Sequence, residues 1–384
     1  MVLVFPDKGK ANPWRYGCED SVTYKQVGKT PRIFAVAGGK GGVGKTLTAT
    51  MLGICLAGFQ RKTLLVDLDF SGANLHGYLD LPDLKRSLNP VLTGKKTSLQ
   101  EVIQPTFWKN LGAITLDSQT LSPESMSSGK RIYKRLRSLD VDYIILDVGT
   151  PTSSFALDAF SSAENRLVVT TNDRLSLHNT FTLIRSALIH RLKSAWYDCP
   201  QFLRALDNCA ILTEGTSPQS LQTTLKSLAP ENRKLLASVL AYCRNYTPKL
   251  VLNDVDDDED LHELVSLGIV VEDILSVALD FWGSLGHDES IRRATRQNRP
   301  DKWFHPFGKM AHDVLKIVIR HIIAGEYGNP MTQTHLDSAR MVTKLLNDET
   351  YLCSKSCLLW NKCPHQYQGE SCLKQLENSR RLAD

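Results

Sequence analysis

The sequence predicts an α/β fold, a mostly parallel β-sheet flanked by helices, and three observations lead to it. From Arg32 onward, short apolar runs alternate with amphipathic stretches, the pattern of repeated βαβ units. The runs are apolar on both faces, as strands buried inside a parallel sheet must be. The first of them leads directly into a glycine-rich segment followed by a helical stretch, an arrangement suited to holding phosphate.

The elements follow in order. Residues 1–30 are polar and broken by Pro6 and Pro13, and read as an N-terminal extension. Strands are expected at 33–37, 63–66, 112–116, 143–146, 167–170, 210–212 and 250–252, within a main domain spanning 31–325. A helix at 46–56 follows the glycine-rich segment. Another at 175–193 places Leu177, Phe181, Ile184, Leu188 and Leu192 on one face. The stretch 190–249 exceeds the length of one crossover and reads as an insertion of helices. The acidic run 254–260 reads as a solvated loop. A helix at 310–323 closes the domain; its apolar residues wrap most of the circumference, which favours a buried core helix over a membrane-surface one. Gly325, Gly328 and Pro330 mark a boundary, and 326–384 form a short helix and a cysteine-rich tail.

Composition narrows the class. With 384 residues, 42% hydrophobic and 23% charged, the chain suits a soluble globular protein rather than a disordered one. A net charge of +5 does not by itself call for nucleic acid or anionic lipid. The basic run Lys130, Arg131, Lys134, Arg135 and Arg137 reads first as one solvated helix face. The N-terminus does not read as a secretory signal, and no apolar run reaches the roughly 18 residues of a membrane span. The expected location is cytoplasmic, with a place on the inner membrane face or at a cell pole as a variant of it.

Gly39-Lys40-Gly41-Gly42-Val43-Gly44-Lys45-Thr46 is the candidate phosphate loop. Glycines let the backbone close around phosphates with N–H groups inward. Lys45 supplies a point charge to the phosphates, and Thr46 offers a hydroxyl to Mg²⁺. Asp147 ends the strand at 143–146, where a carboxylate suits a Mg²⁺ contact. Asp67 and Asp69 follow the strand at 63–66.

Lys-Gly-Gly-Val-Gly-Lys-Thr, with its early second lysine, resembles the deviant phosphate loop of the MinD/ParA family of P-loop ATPases. The resemblance covers roughly 32–325. It implies ATP and Mg²⁺ as ligands, an ATP-dependent homodimer, and a protein partner that stimulates slow ATP hydrolysis. Lys40 would reach across the dimer to the partner's nucleotide. Asp67 would help hold the Mg²⁺ shell, and Asp69 would orient the attacking water. Asn253 matches an adenine-reading position, with a strand-end cap as the alternative. Residues 283–300 resemble the FlhG/FleN branch, regulators of flagellar number and placement. Two other readings share the core: an Mrp-like iron–sulfur carrier, whose Cys-x2-Cys pair is lacking here, and a ParA-like DNA-partitioning ATPase.

Cys353, Cys357, Cys363 and Cys372 lie in one short segment. Four soft ligands there suit Zn²⁺ or a [4Fe–4S] cluster, with His365 able to replace one thiol. Free thiols or disulfides are the alternative.

Overall fold

The computed structural model describes residues 30–324, except 73–74, 80, 82–86, 94–97, 118–128, 211–220, 222, 225–232, 257–261 and 297–308. Eight strands form one sheet: β1 (Arg32–Ala37), β2 (Thr63–Asp67), β3 (Gln104–Pro105), β4 (Leu111–Ile114), β5 (Tyr143–Gly149), β6 (Asn165–Thr170), β7 (Lys249–Val255) and β8 (Asp280–Gly286). Their order is β3-β4-β2-β5-β1-β6-β7-β8. All neighbours are parallel except β3 against β4. The strands at the centre are buried along nearly their whole length, which is why their sequences carry apolar residues on both faces.

The helices are α1 (Lys45–Gly58), α2 (Leu75–Leu79), α3 (Asn89–Leu92), α4 (Gly129–Leu136), α5 (Ser154–Ser162), α6 (Arg174–Ala195), α7 (Pro200–Ala210), α8 (Arg233–Asn245), α9 (His262–Leu275), α10 (Glu289–Arg296) and α11 (Lys309–Ile317). Strand alternation divides the core in two. Ile33, Ala35, Ile144 and Leu146 meet α4, α5, α6 and α9 on one face. Phe34, Val36, Tyr143 and Ile145 meet α1 and α11 on the other.

Three expectations need correction. Ala210 ends helix α7 instead of starting a strand, and 211–212 lie outside the described residues. A short apolar run fits either element, and Phe202 with Leu206, both fully buried, supply the helical i, i+4 spacing that decides it. The strand expected at 112–116 is instead Leu111–Ile114, with Thr115 forming an isolated bridge to Ser87. The helix expected at 310–323 is α up to Ile317 and continues as a π-helical turn, Val318–Ile323. Its apolar residues are core: Val314, Val318 and Ile322 are fully buried. In the stretch read as an insertion, α7 and α8 pack back through Phe202, Leu206, Val239 and Cys243. The free cysteines Cys55 and Cys243 are buried, and burial pushes the Cys243 thiol up to about 12. Among the described residues, no helix is long and apolar enough to cross a membrane.

Candidate functional site

β1 carries the chain to the C-terminal edge of the sheet, the place where parallel α/β sheets open toward ligands. The loop 38–44 turns there and α1 begins at Lys45, so the first backbone N–H groups of the helix face the turn. The loop is tied on three sides. Gly38 N donates to the Gly149 carbonyl at 3.1 Å. Lys45 Nζ donates to the Lys40 carbonyl at 2.8 Å. Asn253 Nδ2 donates to the Val43 carbonyl at 3.0 Å, so Asn253 buttresses the loop from the end of β7. Lys45 is buried; burial draws it below the ordinary lysine range, and Asp69 and Asp147 act against that.

Lys40 does not point along the loop. Its Nζ binds both carboxylate oxygens of Asp173, at 3.1 and 3.0 Å. Asp173 is the N-cap of α6, accepting from Ser176 N at 2.9 Å. Desolvation would raise the Asp173 carboxyl, but hydrogen bonds from Ser176, Thr171 and Lys40 hold it well below the usual carboxylate range.

Three carboxylates complete the site. Asp67 ends β2 and pairs in register with Asp147, near the end of the neighbouring strand β5, and both are fully buried. Asp67 spends its oxygens on backbone: Oδ1 accepts from Asp69 N at 3.0 Å and Oδ2 from Leu75 N at 3.2 Å. Even so, burial and the adjacent Asp147 charge raise its pKa well above the carboxylate range. Burial pushes Asp147 up to about 6; the Thr46 hydroxyl lies near enough to lower it, yet neither Asp147 oxygen has a full hydrogen bond. Two buried acids side by side with unused lone pairs, beside a threonine hydroxyl, suit a hard divalent cation with oxygen ligands. Asp69 Oδ1 accepts from Ser71 N at 2.9 Å. Gly149, at φ +68, lies against the Asp69 carboxylate where a Cβ would collide with it.

The loop and Asp69 open on a cleft of about 710 Å³, lined on this side by Gly41, Gly42, Gly44, Lys45, Thr46 and Asp69. That volume lies within the range of small-molecule sites.

Residues 31–195 match the family described as AAA domain. The chain is 28% identical over 145 residues to the sporulation initiation inhibitor protein Soj of Bacillus subtilis, which covers 36% of this chain and 57% of that protein. It is 26% identical over 160 residues to the chloroplastic septum site-determining protein MinD homolog of Arabidopsis thaliana, covering 40% and 49%. The chain thus spans about half the length of these curated relatives. Among solved structures, the septum site-determining protein MinD from Pyrococcus horikoshii, complexed with Mg-ADP, aligns with a TM-score of 0.51 at 22% identity, over 77% of this chain and 98% of that one. The fold is that of the MinD/ParA P-loop ATPases.

Within this MinD/ParA fold, sequence reasoning did not anticipate two groups. Asp173 carried no expected role, although an Asp three residues before Ser176 signals a helix cap. The far wall of the cleft, Asp254, Gly286, His287, Asp288 and Ile291, also had none. β8 was not expected because Gly283, at φ +139, and Ser284 interrupt its apolar pattern. Cys353, Cys357, Cys363, Cys372 and His365 lie outside the described residues. Among the described residues, no group of three or more His, Cys, Asp or Glu side chains stands ready to hold a metal.

Proposed function

We propose that this chain binds ATP, hydrolyses it slowly, and uses the nucleotide to close a homodimer whose state is read by a protein partner that stimulates hydrolysis. One observation carries the reading: the loop with Lys40 and Lys45 and the carboxylates Asp67, Asp69 and Asp147 converge at the C-terminal edge of the sheet. The match of 31–195 to the AAA domain family and the likeness to Soj and MinD proteins support it.

Thr46 and Asp147, with Asp67 behind them, would hold Mg²⁺, which supplies positive charge against the phosphate oxygens. The protein's own part is electrostatic and positional. Backbone N–H groups of 41–46 and the start of α1 hold the phosphates. Lys45 offsets charge that develops on the transferring group. Asp69 accepts a hydrogen bond from the attacking water and orients it. Lys40, released from Asp173, reaches the partner subunit's nucleotide as a charge supplied in trans. Residues 283–300 resemble the FlhG/FleN branch, so the reading extends to regulating the number or place of a cellular structure such as flagella.

Light-scattering mass tests the switch, with ADP and with ATP, on wild type and on Asp69→Ala. A monomer with ADP and a lasting dimer with ATP in Asp69→Ala is the expected pair. A mass indifferent to nucleotide removes the dimer switch, and Asp69→Ala hydrolysing ATP at the wild-type rate removes Asp69 as the water-orienting residue.

A further inference from the structure

Tyr78 carried no expected role, and it lines the same cleft as Lys45, Thr46, Asp69 and Thr150. It belongs to α2, a short helix held firmly to the site. Leu75 N donates to Asp67 Oδ2 at 3.2 Å. The Leu75 and Leu79 side chains are buried in the core that α1 also enters. Tyr78 itself is half-buried, and a tyrosine on an anchored helix has few rotors left to freeze.

The phenol lies near enough to Asp147 for that carboxylate to act on it: burial first, then the Asp147 charge, raise it above the usual tyrosine range. It therefore keeps its proton and stays a donor. The hydroxyl is not given to Asp147, since neither oxygen of that carboxylate has a full hydrogen bond. Its neighbours in the cleft have little to offer an anion. Asp69 can only accept when charged, and the Ser71 hydroxyl is already given to Asp69 Oδ1 at 2.5 Å. An anion beside these acids is repelled unless a cation or a neutral donor stands between.

We infer that Tyr78 is a specificity-determining residue, whose hydroxyl donates a hydrogen bond to the terminal phosphate of a bound nucleoside triphosphate and so favours triphosphate over diphosphate. The inference rests on the proposed nucleotide reading of this cleft. The phenol brings a donor without a charge of its own, so it adds no further repulsion among the acids. A diphosphate held by the loop lacks the group that this hydroxyl serves. The bond is thus made in one nucleotide state and absent in the other. A hydrogen bond to a charged oxygen is among the stronger ones available to a neutral side chain.

Calorimetric titration of the full chain with Mg²⁺ and either ADP or the slowly hydrolysed ATP analogue AMP-PNP reads the discrimination directly. Tyr78→Phe removes the hydroxyl and keeps the ring. It is expected to weaken AMP-PNP about ten- to hundredfold, to leave ADP unchanged, and to melt close to wild type without nucleotide. The same titrations in a Lys40→Ala background exclude a contribution from dimerisation, and the selective loss is expected to persist there. The inference is overturned if Tyr78→Phe binds AMP-PNP as wild type does, if it weakens ADP as much as AMP-PNP, or if the loss vanishes in Lys40→Ala. Each of these leaves the nucleotide reading standing so long as wild type binds both probes. Wild type binding neither probe overturns the nucleotide reading itself, and the inference with it.

Discussion

At the scale of single residues, the site holds two buried acids that the nucleotide-free protein accommodates at a cost. Asp147 is fully buried without a full hydrogen bond, and its pKa rises from 3.8 to about 6. A carboxyl raised on folding binds its proton more tightly in the native state, so its stabilising contribution is complete below the unfolded pKa. That contribution is lost as pH rises from near 4 through about 6. At neutral pH the charge on Asp147, buried beside Asp67, is therefore a strain on the fold. Asp147→Asn is expected to stabilise the metal-free form at pH 7 by about 1–3 kcal/mol and to abolish Mg²⁺-dependent ATP hydrolysis. Chemical denaturation in a chelator at pH 4.5 and pH 7 measures the first effect, and the gain should shrink at the lower pH. A variant less stable than wild type at pH 7 would mean that Asp147 anchors the fold, contrary to its unbonded oxygens.

At the scale of elements, the phosphate loop and α6 act as one unit. The loop approaches the helix so closely at Gly39 that a Cβ there would meet the backbone of Asn179 and Thr180, with Thr180 N at 2.6 Å. Backbone cannot swing aside as a flexible side chain can, so Gly39→Ala must push loop and helix apart. It is expected to cost more than about 1 kcal/mol in a thermal melt and to weaken ATP by at least tenfold. Normal melting and normal ATP binding together would show that the contact is slack. This coupling was not legible in the sequence, whereas the loop itself was. Gly39 to Thr46 could be recognised because phosphate chemistry dictates their spacing, and β1, β2, β5 and β6 because burial on both faces leaves unbroken apolar runs. Asp67, Asp69 and Asp147 were legible as strand-end acids near such a loop. The Asp173 contact was not, because it joins Lys40 to a residue far along the chain, and a single sequence does not display such pairs. β8 escaped for a local reason: an edge strand kinked at Gly283 lacks the apolar run that marks a central one.

At the scale of the whole molecule, one contact would set the balance between single chain and the proposed dimer. Lys40 is the residue expected to act on a second subunit, and in the single chain it is held by its own Asp173. The pair is half-exposed, 30% for Lys40 and 49% for Asp173, so it is worth at most about 1 kcal/mol. A hold of that size would weaken the proposed dimerisation without preventing it, as a reversible switch requires. Asp173→Asn should separate the two tasks of this residue, since Asn caps a helix about as well as Asp but carries no charge for Lys40. The variant is expected to melt close to wild type and to dimerise with ATP about two- to fivefold more tightly, read from mass against protein concentration. Lys40→Ala should remove ATP-dependent dimerisation in either background. If Asp173→Asn instead dimerises more weakly while melting normally, the Asp173 charge belongs to the dimer interface, and the contact seen here is a step toward assembly, not a restraint upon it.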